Sequence, residues 1–281
     1  MPYEYIGIEK EDGVATITLN RPEKHNALSQ GLLAELRGTL DEIDTDKTIR
    51  VVVLRGAGRQ AFSTGFDLNP RELTSDAPQD EADWNRLIRL NFETLMRIWN
   101  LRQPVVAAVN GHAVAAGSNL ALICDVTIAA DNATFGEPEI RHFALSPLLL
   151  LPYFANNSKA MHYLYYTGDT IGPEEALKLG LVSKVVSQDQ LRSEAQRIAR
   201  RIAQVPAYAV QLTKRSIKSA YDEMMGFKNA MELHRANDAL VIDASQIEEK
   251  KKLMGTLMEK GFKAFLELRD GPFRNNRHYA K

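Results

Sequence analysis

Residues 103–141 read QPVVAAVNGHAVAAGSNLALICDVTIAADNATFGEPEIR, and their pattern predicts a strand, a tight corner, a short helix and a second strand. The first strand covers Pro104–Val109, the helix Ser118–Ile123 and the second strand Val126–Ala130. The run of alanine and glycine before the helix lets backbone N–H groups approach a ligand oxygen, and the helix dipole favours negative charge there. A carboxylate beside such a site, here Glu139, is equipped to move a proton next to a carbonyl group. A buried crossover whose small residues serve only packing is the alternative interpretation.

Strands and helices alternate on the N-terminal side of this stretch. Ser29 is the predicted N-cap of a helix that ends near Thr45, with leucines recurring on one side. The continuous apolar run Val51–Leu54 predicts a strand that is buried on both faces. The alternation favours an α/β fold with crossover connections. The other elements predicted here are strands at Tyr5–Lys10 and Val14–Leu19, a loop at 69–83 and a helix at Trp84–Leu101.

The C-terminal part of the chain has a nearly all-helical pattern, which begins at Lys159. Val182–Val186 interrupts it and is predicted to be an edge strand. A helical region therefore follows the α/β part, with a change of character near residues 200–225. The predicted helices are Ala160–Thr167, Glu174–Leu179, Gln190–Ala203, Ala207–Met225, Lys228–Ile242 and Gln246–Glu267.

The composition excludes several classes of protein. A chain of 281 residues with 44% hydrophobic content can bury a large core, and its formal net charge of −1 predicts no nucleic-acid or anionic membrane partner. The single cysteine, Cys124, excludes an internal disulfide and suits a reducing compartment. The longest apolar run, Leu145–Tyr153, is too short to cross a bilayer, and the N-terminus lacks a signal-peptide pattern. We therefore expect a cytoplasmic protein.

Four blocks of sequence resemble the crotonase, or enoyl-CoA hydratase/isomerase, superfamily. They are residues 14–28 (VATITLNRPEKHNAL), 51–69 (VVVLRGAGRQAFSTGFDLN), 103–141 and 167–186 (TGDTIGPEEALKLGLVSKVV), in that family's order and spacing. The resemblance covers roughly residues 3–270. It implies an α/β fold in which a crotonase-like spiral of ββα units precedes a C-terminal helical region.

The resemblance also implies a division of the chain and an assembly. We expect the spiral core to cover residues 1–205 and the helical region to cover residues 206–281. In the family, such helices cover the active site and build trimers, which commonly pair into hexamers. A homotrimer or a hexamer made of two trimers is therefore expected.

The family's chemistry develops negative charge on the oxygen of an acyl-CoA thioester, and two backbone N–H groups stabilise that charge. By motif these donors fall on Phe66 and Ala116. The family usually has a small residue at the first position and glycine at the second, so Phe66 is expected to reshape the pocket. Coenzyme A is expected as part of the substrate, with no separate cofactor. The residues expected to bind it are Lys24, His25, Ala27, Phe66, Asp67 and Leu68.

The acid/base residues distinguish this chain from classical hydratases of the family, which hold two glutamates around one water. The second glutamate corresponds to Glu139, within the FGEPE segment, but the first corresponds to Asn119. An amide can orient a water or a substrate but cannot accept its proton, so the resemblance implies Glu139 as the single acid/base group. Glu137, two residues earlier, is expected to face away from the site.

A single glutamate suits movement of a double bond between positions 3 and 2 of an acyl-CoA. The predicted function is therefore an enoyl-CoA hydratase/isomerase of acyl-CoA or fatty acid metabolism, with isomerisation easier to justify than hydration. A hydrolase of the same fold, cleaving a C–C or thioester bond, is one alternative. A catalytically weak CoA-binding subunit is another.

Bulky residues follow Glu139 where the family often has a glycine-rich turn. We expect Phe143, Leu145 and Leu148 to line the acyl pocket. The pair formed by Glu139 and His142 has a spacing that metal ligands use on helices, but no second pair of this kind occurs and no metal site is predicted. Three serines, at positions 63, 118 and 146, invite a serine-hydrolase interpretation, but the sequence assigns them no histidine and aspartate partners.

Overall fold

The computed structural model describes residues 3–68, 81–243 and 247–274. Strands and helices interleave in the N-terminal half, and helices dominate after residue 150. The strands are β1 (Ile6–Glu11), β2 (Val14–Leu19), β3 (Val51–Gly56), β4 (Ala61–Ser63), β5 (Val105–Val109), β6 (His112–Val114), β7 (Val126–Ala130), β8 (Thr134–Gly136), β9 (Thr170–Ile171) and β10 (Lys184–Val186). The α-helices are α1 (Gln30–Thr45), α2 (Glu81–Asn100), α3 (Ala116–Leu122), α4 (Leu151–Phe154), α5 (Ser158–Thr167), α6 (Pro173–Lys178), α7 (Leu191–Ala203), α8 (Ala207–Met225), α9 (Phe227–Asp243) and α10 (Glu248–Asp270).

The predicted N-terminal elements are confirmed. Strands β1 and β2 form an antiparallel hairpin in which Glu11 pairs with Val14. Helix α1 begins after Ser29, whose side chain accepts a hydrogen bond from the backbone N–H of Leu32, as an N-cap residue does. Its leucines are buried against the sheet. Local polar signals and apolar periodicity thus place the helix bounds correctly.

The larger sheet among the described residues has six strands in the order β1–β2–β3–β5–β7–β10. All pairs after the first hairpin are parallel, and β10 is an edge strand, as predicted for this segment. One face packs on the main core with α1, α2 and α3, and the other face is covered by the alanine and leucine side of α7. Burial on both faces explains the continuous apolar run of β3.

The smaller sheet in the described part of the chain joins β4, β6, β8 and β9 in that order. Strands β4, β6 and β8 are parallel, and β9 is antiparallel to β8. Strand β4 precedes residues 64–68, β6 precedes α3, and β8 precedes the FGEPE carboxylates. The short strands therefore bring three separate chain segments to one side of the molecule.

The C-terminal helices pack onto this side and onto the main core. Phe227 at the start of α9 stacks on Trp99 of α2 with ring centroids 4.6 Å apart. Phe265 of α10 is buried in a cluster with Leu253 and Leu257, against which Leu68 and Phe143 pack. Helix α10 therefore covers residues that belong to the predicted site.

The fold class predicted from the sequence is confirmed in this mixed α/β arrangement with its C-terminal helices. The predicted loop at 69–83 lies largely outside the described residues, and α2 begins at Glu81 rather than at Trp84. In the ranges that the structure covers, no helix is long and apolar enough to cross a membrane. The division at residue 205 stays a prediction, although α8 begins directly after it at Ala207.

Candidate active site

The backbone of residues 65–66 lies directly against the start of α3. A Cβ atom built on Gly65, whose φ is +87°, would lie 2.8 Å from the Cβ of Ala115 and 3.1 Å from the backbone nitrogen of Ala116. Only glycine allows this approach without displacing the neighbouring backbone. Because Phe66 follows Gly65, the two predicted N–H donors belong to chain segments that are in contact.

Helix α3 begins from an unusual backbone conformation. Ala115 has φ 55° and ψ −134°, a region that residues other than glycine rarely occupy, and its N–H donates to the carbonyl oxygen of Gly136 at 2.9 Å. As the first residue of the helix, Ala116 has an N–H group that has no acceptor within the helix. The corner thus holds an N–H donor next to the end of β8, at an energetic cost of the kind found at functional sites.

The predicted CoA-binding residues occupy two segments that the structure pins together. Arg21 is buried and donates to the carbonyl oxygen of Ala27 at 2.8 Å and to the carboxylate of Asp67 at 2.9 Å. Leu28 and Phe66 form an isolated parallel bridge beside this ion pair. The two segments, which carry Lys24, His25, Ala27, Phe66, Asp67 and Leu68, therefore form one continuous edge.

Glu139 lies in a short 3₁₀ helix, Pro138–His142, that follows β8 directly. Its side chain is 4% exposed, and the carboxyl group of Glu137 is within hydrogen-bonding contact of it. Burial raises the pKa of Glu139 to about 7; the contact with Glu137 and the charge of Arg269 oppose this rise, and the charge of Asp238 adds to it. A buried carboxyl group with a pKa near neutrality is suited to take up and return a proton.

Asn119 and Glu137 form a buried hydrogen-bond network on α3 and beside β8. The Nδ2 of Asn119 donates to Oε1 of Glu137 at 2.9 Å, and its Oδ1 accepts from the backbone N–H of Leu148 at 2.7 Å. The hydroxyl of Ser146 lies 2.9 Å from Oε2 of Glu137 and 3.0 Å from Oδ1 of Asn119. The prediction that Glu137 faces away is therefore wrong: its side chain is 3% exposed and contacts the other predicted site residues.

The physical reason for this error is a contact between segments that are distant in sequence. Glu137 directly precedes the 3₁₀ helix that begins at Pro138, and its side chain meets Asn119 of α3 and Ser146. The amide of Asn119 offers Glu137 a buried partner. Two carboxyl groups consequently enter the interior from the same short segment.

Helices α9 and α10 contribute residues that lie around the Glu139 segment. Asp238 of α9 is buried, accepts a hydrogen bond from the backbone N–H of Leu145 at 2.8 Å, and has a pKa raised by burial to about 6. Phe265 of α10 lies edge-on to the ring of His142, with centroids 5.9 Å apart. Burial lowers the pKa of His142 to about 4, so this ring is neutral at physiological pH.

The residues predicted to line the acyl pocket have different surroundings. Phe143 has a left-handed backbone conformation, with φ 58°, and packs beside the Phe265 cluster. Leu145 is half-buried and adjoins Asp238 through its backbone, whereas Leu148 is fully buried in the main core. Their role in acyl binding stays a prediction, with Phe143 the best placed of the three.

The serine-hydrolase alternative does not fit the contacts of Ser146. His234 approaches this residue, but its Nε2 lies 2.7 Å from the backbone carbonyl oxygen and not at the hydroxyl. The hydroxyl instead faces Glu137, Asn119 and the carbonyl oxygen of Leu148. Over the described ranges, no group of three or more histidine, cysteine, aspartate or glutamate side chains is arranged to hold a metal ion.

Sequence reasoning missed three residues that shape the site. Gly65 was not distinguished from other glycines, although its place between Thr64 and Phe66 in the predicted donor loop was a signal. Arg21 lies within the block 14–28 but was given no role, and Asp238 lies in none of the four blocks; each acts through a partner that is distant in sequence. Their roles become visible only when the segments meet.

Comparisons with known proteins show similarity to one family. The family model described as enoyl-CoA hydratase/isomerase matches residues 9–276. A probable enoyl-CoA hydratase of Mycobacterium tuberculosis is 36% identical over 80% of this chain and 85% of its own. The 1,2-epoxyphenylacetyl-CoA isomerase of Escherichia coli is 36% identical over 77% of this chain and 83% of its own.

A solved structure extends the similarity to the whole fold. The crystal structure of an enoyl-CoA hydratase/isomerase from Xanthobacter autotrophicus superposes with a TM-score of 0.90. It is 36% identical in sequence, and the match covers 97% of this chain and 99% of that one. The C-terminal helices are therefore included in the similarity.

Proposed function

This chain belongs to the enoyl-CoA hydratase/isomerase family, the crotonase superfamily, and from that premise we propose that it moves a proton at the α carbon of an acyl-CoA thioester. The observation that carries the proposal is Glu139: a buried carboxyl group with a pKa near neutrality. The backbone corner at Ala116 offers an N–H group that has no acceptor within its helix. These are the parts that formation of an enolate requires.

In the proposed mechanism, the thioester oxygen accepts hydrogen bonds from the N–H groups of Phe66 and Ala116. Glu139 as carboxylate removes the α proton, and negative charge moves onto the thioester oxygen. Each preorganised donor contributes on the order of 2.7–4 kcal/mol to the stability of such a charge. Return of the proton from Glu139 to C4 converts a 3-enoyl into a 2-enoyl thioester. Coenzyme A enters as part of the substrate.

Double-bond isomerisation is the first choice because Asn119 is already occupied. Its Oδ1 accepts from the backbone N–H of Leu148 and lies 3.0 Å from the hydroxyl of Ser146, and its Nδ2 donates to Glu137, so little capacity remains to orient a water. A hydratase needs such a water between two acid/base groups. The contacts of Asn119 thus support a reaction in which one carboxylate removes and returns a proton.

Hydration is a second candidate, and a specific observation favours it. Glu137 brings a second carboxyl group into the interior two residues from Glu139, although not at the family's usual position. The similar protein of Mycobacterium tuberculosis is named a probable enoyl-CoA hydratase. Gain of water by a 2-enoyl thioester would make this the main activity.

The test is a mass-spectrometric turnover screen with purified protein and matched 2-enoyl and 3-enoyl thioesters. Conversion of the 3-enoyl to the 2-enoyl ester without a change in mass supports isomerisation. Gain of one water by the 2-enoyl ester supports hydration instead. Binding of both esters without any change favours a non-catalytic CoA-binding subunit and contradicts the proposal.

We also propose a trimer or hexamer, because exposed apolar side chains concentrate on α8, α9 and α10. The most exposed of them are Tyr208, Met224, Leu233, Leu240 and Met258. An isolated chain in water rarely leaves so many large apolar groups uncovered on one region. Light scattering of the purified protein tests this, and a monomer would contradict it. The cytoplasmic location stays a prediction.

A further inference from the structure

The buried network around Glu137 contains more close oxygen contacts than its hydrogens can fill if Glu137 is ionised. The hydroxyl of Ser146 lies 2.9 Å from Oε2 of Glu137, 3.0 Å from Oδ1 of Asn119 and 3.0 Å from the carbonyl oxygen of Leu148. A serine hydroxyl has one hydrogen and can fill one of these contacts. The other two would bring oxygen atoms together without a hydrogen between them.

The orientation of the Asn119 amide is fixed and cannot supply the missing hydrogen. The backbone N–H of Leu148 donates to Oδ1 of Asn119 at 2.7 Å, which identifies that atom as the oxygen. Nδ2 consequently points to Oε1 of Glu137, where it donates at 2.9 Å. The contact between Ser146 and Oδ1 of Asn119 can therefore receive its hydrogen only from the serine.

A proton on Glu137 supplies a second hydrogen, so that two of the three contacts of Ser146 are filled rather than one. Oε2 of Glu137 then donates to the hydroxyl oxygen of Ser146, and the serine hydrogen is released to Oδ1 of Asn119 or to the carbonyl oxygen of Leu148. Oε1 of Glu137 still accepts from Asn119. One contact of Ser146 then lacks a hydrogen, against two when Glu137 is ionised, so a neutral Glu137 comes closer to the pairing that buried polar groups require.

We propose that Glu137 is a positioning residue of this site: it is a neutral carboxylic acid that holds Asn119 and Ser146 in place and leaves Glu139 as the only anion of the pair. The functional part of this inference rests on the proposed role of Glu139. Two carboxylates that enter a dry interior from one short segment repel each other and cannot both ionise easily. A neutral Glu137 keeps the single negative charge on Glu139, with which it is in hydrogen-bonding contact.

The electrostatic surroundings agree with a neutral Glu137 and an ionised Glu139. Burial raises the pKa of Glu137 well above its usual range, and the neighbouring charge of Glu139 raises it further. The pKa of Glu139 rises only to about 7. Asp238 is the other buried carboxyl group close by, and its pKa of about 6 leaves it ionised above neutrality. Burial and the charge of Glu139 thus both favour the protonated form of Glu137.

Infrared spectroscopy of the ligand-free, full-length protein tests the proton directly. At about pH 8.5, above the pKa values of Glu139 and Asp238, the wild type should show the C=O stretch of a protonated carboxylic acid. Glu137→Gln should remove the band, and Asp238→Asn should retain it. Absence of the band from the wild type, or its persistence in Glu137→Gln, overturns the proposal.

A second variant tests the same contact in case Glu137→Gln does not fold. A thermal melt of each variant shows whether it is folded. Ser146→Ala removes the acceptor of the Glu137 proton, so the band should shift in frequency; an unshifted band contradicts the assigned contact. The spectrum does not depend on turnover. A protein that shows the band but converts no thioester would contradict the proposed function and leave the neutral Glu137 standing.

The pH profile tests the consequence for Glu139. If Glu137 is neutral, Glu137→Gln replaces one uncharged group by another, and the acid limb of kcat/KM should keep its midpoint. If Glu137 carries a negative charge, its removal eases ionisation of Glu139 and moves the midpoint to lower pH. A downward shift therefore overturns the proposal. A group that serves packing alone would give no infrared band at this pH.

Discussion

The Nδ2 of Asn119 donates a hydrogen bond to Oε1 of Glu137 at 2.9 Å, and both side chains are buried. From the family resemblance, Asn119 is expected where classical hydratases hold one of two glutamates, and its partner Glu137 comes from a position that the resemblance does not mark. The amide of Asn119 is therefore hydrogen-bonded within the protein through both its oxygen and its nitrogen. We infer that Asn119 takes no part in proton transfer and that this step depends on Glu139.

The pH dependence of activity should report the ionisation of Glu139. Because a general base must be deprotonated, kcat/KM should rise with pH and level off above a midpoint near 7, the pKa to which burial raises this carboxyl. Asp238→Asn should move the midpoint to lower pH, since the charge of Asp238 raises that pKa. The exposed Glu232 lies on the same helix and provides the control substitution Glu232→Gln. Equal midpoints in wild type and Asp238→Asn would refute the electrostatic assignment.

The raised pKa of Glu139 also predicts a stability effect. A carboxyl whose pKa rises from 4.5 unfolded to about 7 folded stabilises the fold at low pH, and this contribution is lost as pH increases through 7. Glu139→Gln should therefore raise the free energy of unfolding by about 2–3 kcal/mol at pH 8 and have little effect near pH 4. Urea denaturation at both pH values measures this difference. A variant less stable than wild type at pH 8 would contradict the burial argument.

Gly65→Ala should damage the oxyanion hole. The added Cβ would meet the Cβ of Ala115 at 2.8 Å and the backbone nitrogen of Ala116 at 3.1 Å, and the positive φ adds strain. Displacement of one donor should lower kcat by about 10²-fold or more. The control is Gly38→Ala in α1, where nothing lies within 4 Å of the new Cβ and helix propensity should add about 0.5–1 kcal/mol of stability. Equal kcat in both variants would exclude the proposed donor geometry.

Arg21→Met should weaken binding of the CoA moiety. Arg21 joins Ala27 to Asp67 through a pair whose side chains are 7% and 11% exposed, so its loss leaves a buried carboxylate without this partner. Loss of one partner of a buried ion pair costs about 3–5 kcal/mol of stability. We expect a raised KM for every acyl-CoA, measured by steady-state kinetics, together with a lower melting temperature. Arg192→Met, at an exposed pair with Glu9, should change neither the KM nor the melting temperature. An unchanged KM in Arg21→Met would contradict the proposed role of Arg21 in holding the two CoA-binding segments together.

Most of the fold could be predicted because local signals agree with tertiary structure. The bounds of β7 (Val126–Ala130) and of α8 (Ala207–Met225) are those predicted, since apolar runs, proline and glycine mark their ends. Ser29 caps α1 through its own side chain. Elements of this kind depend on a few neighbouring residues, which a sequence displays directly.

The interior of the site could be predicted only in part. Glu139 and the small residues of the corner belong to one continuous motif, and the structure brings them together. The position of Glu137 depends on Asn119 and Ser146, which converge from separate segments, and on the 3₁₀ helix that follows Pro138. A hydrogen-bond network across three segments has no periodic signature, so sequence patterns could not reveal it.

The central claim is that Glu139 moves a proton at the α carbon of a thioester whose oxygen lies in the backbone corner. Solvent exchange of the α protons of a saturated acyl-CoA in deuterated water, followed by mass spectrometry, measures this step without knowledge of the full reaction. We expect exchange by the wild type and a rate about 10²–10⁴-fold lower in Glu139→Gln. Exchange at the wild-type rate in Glu139→Gln would contradict it.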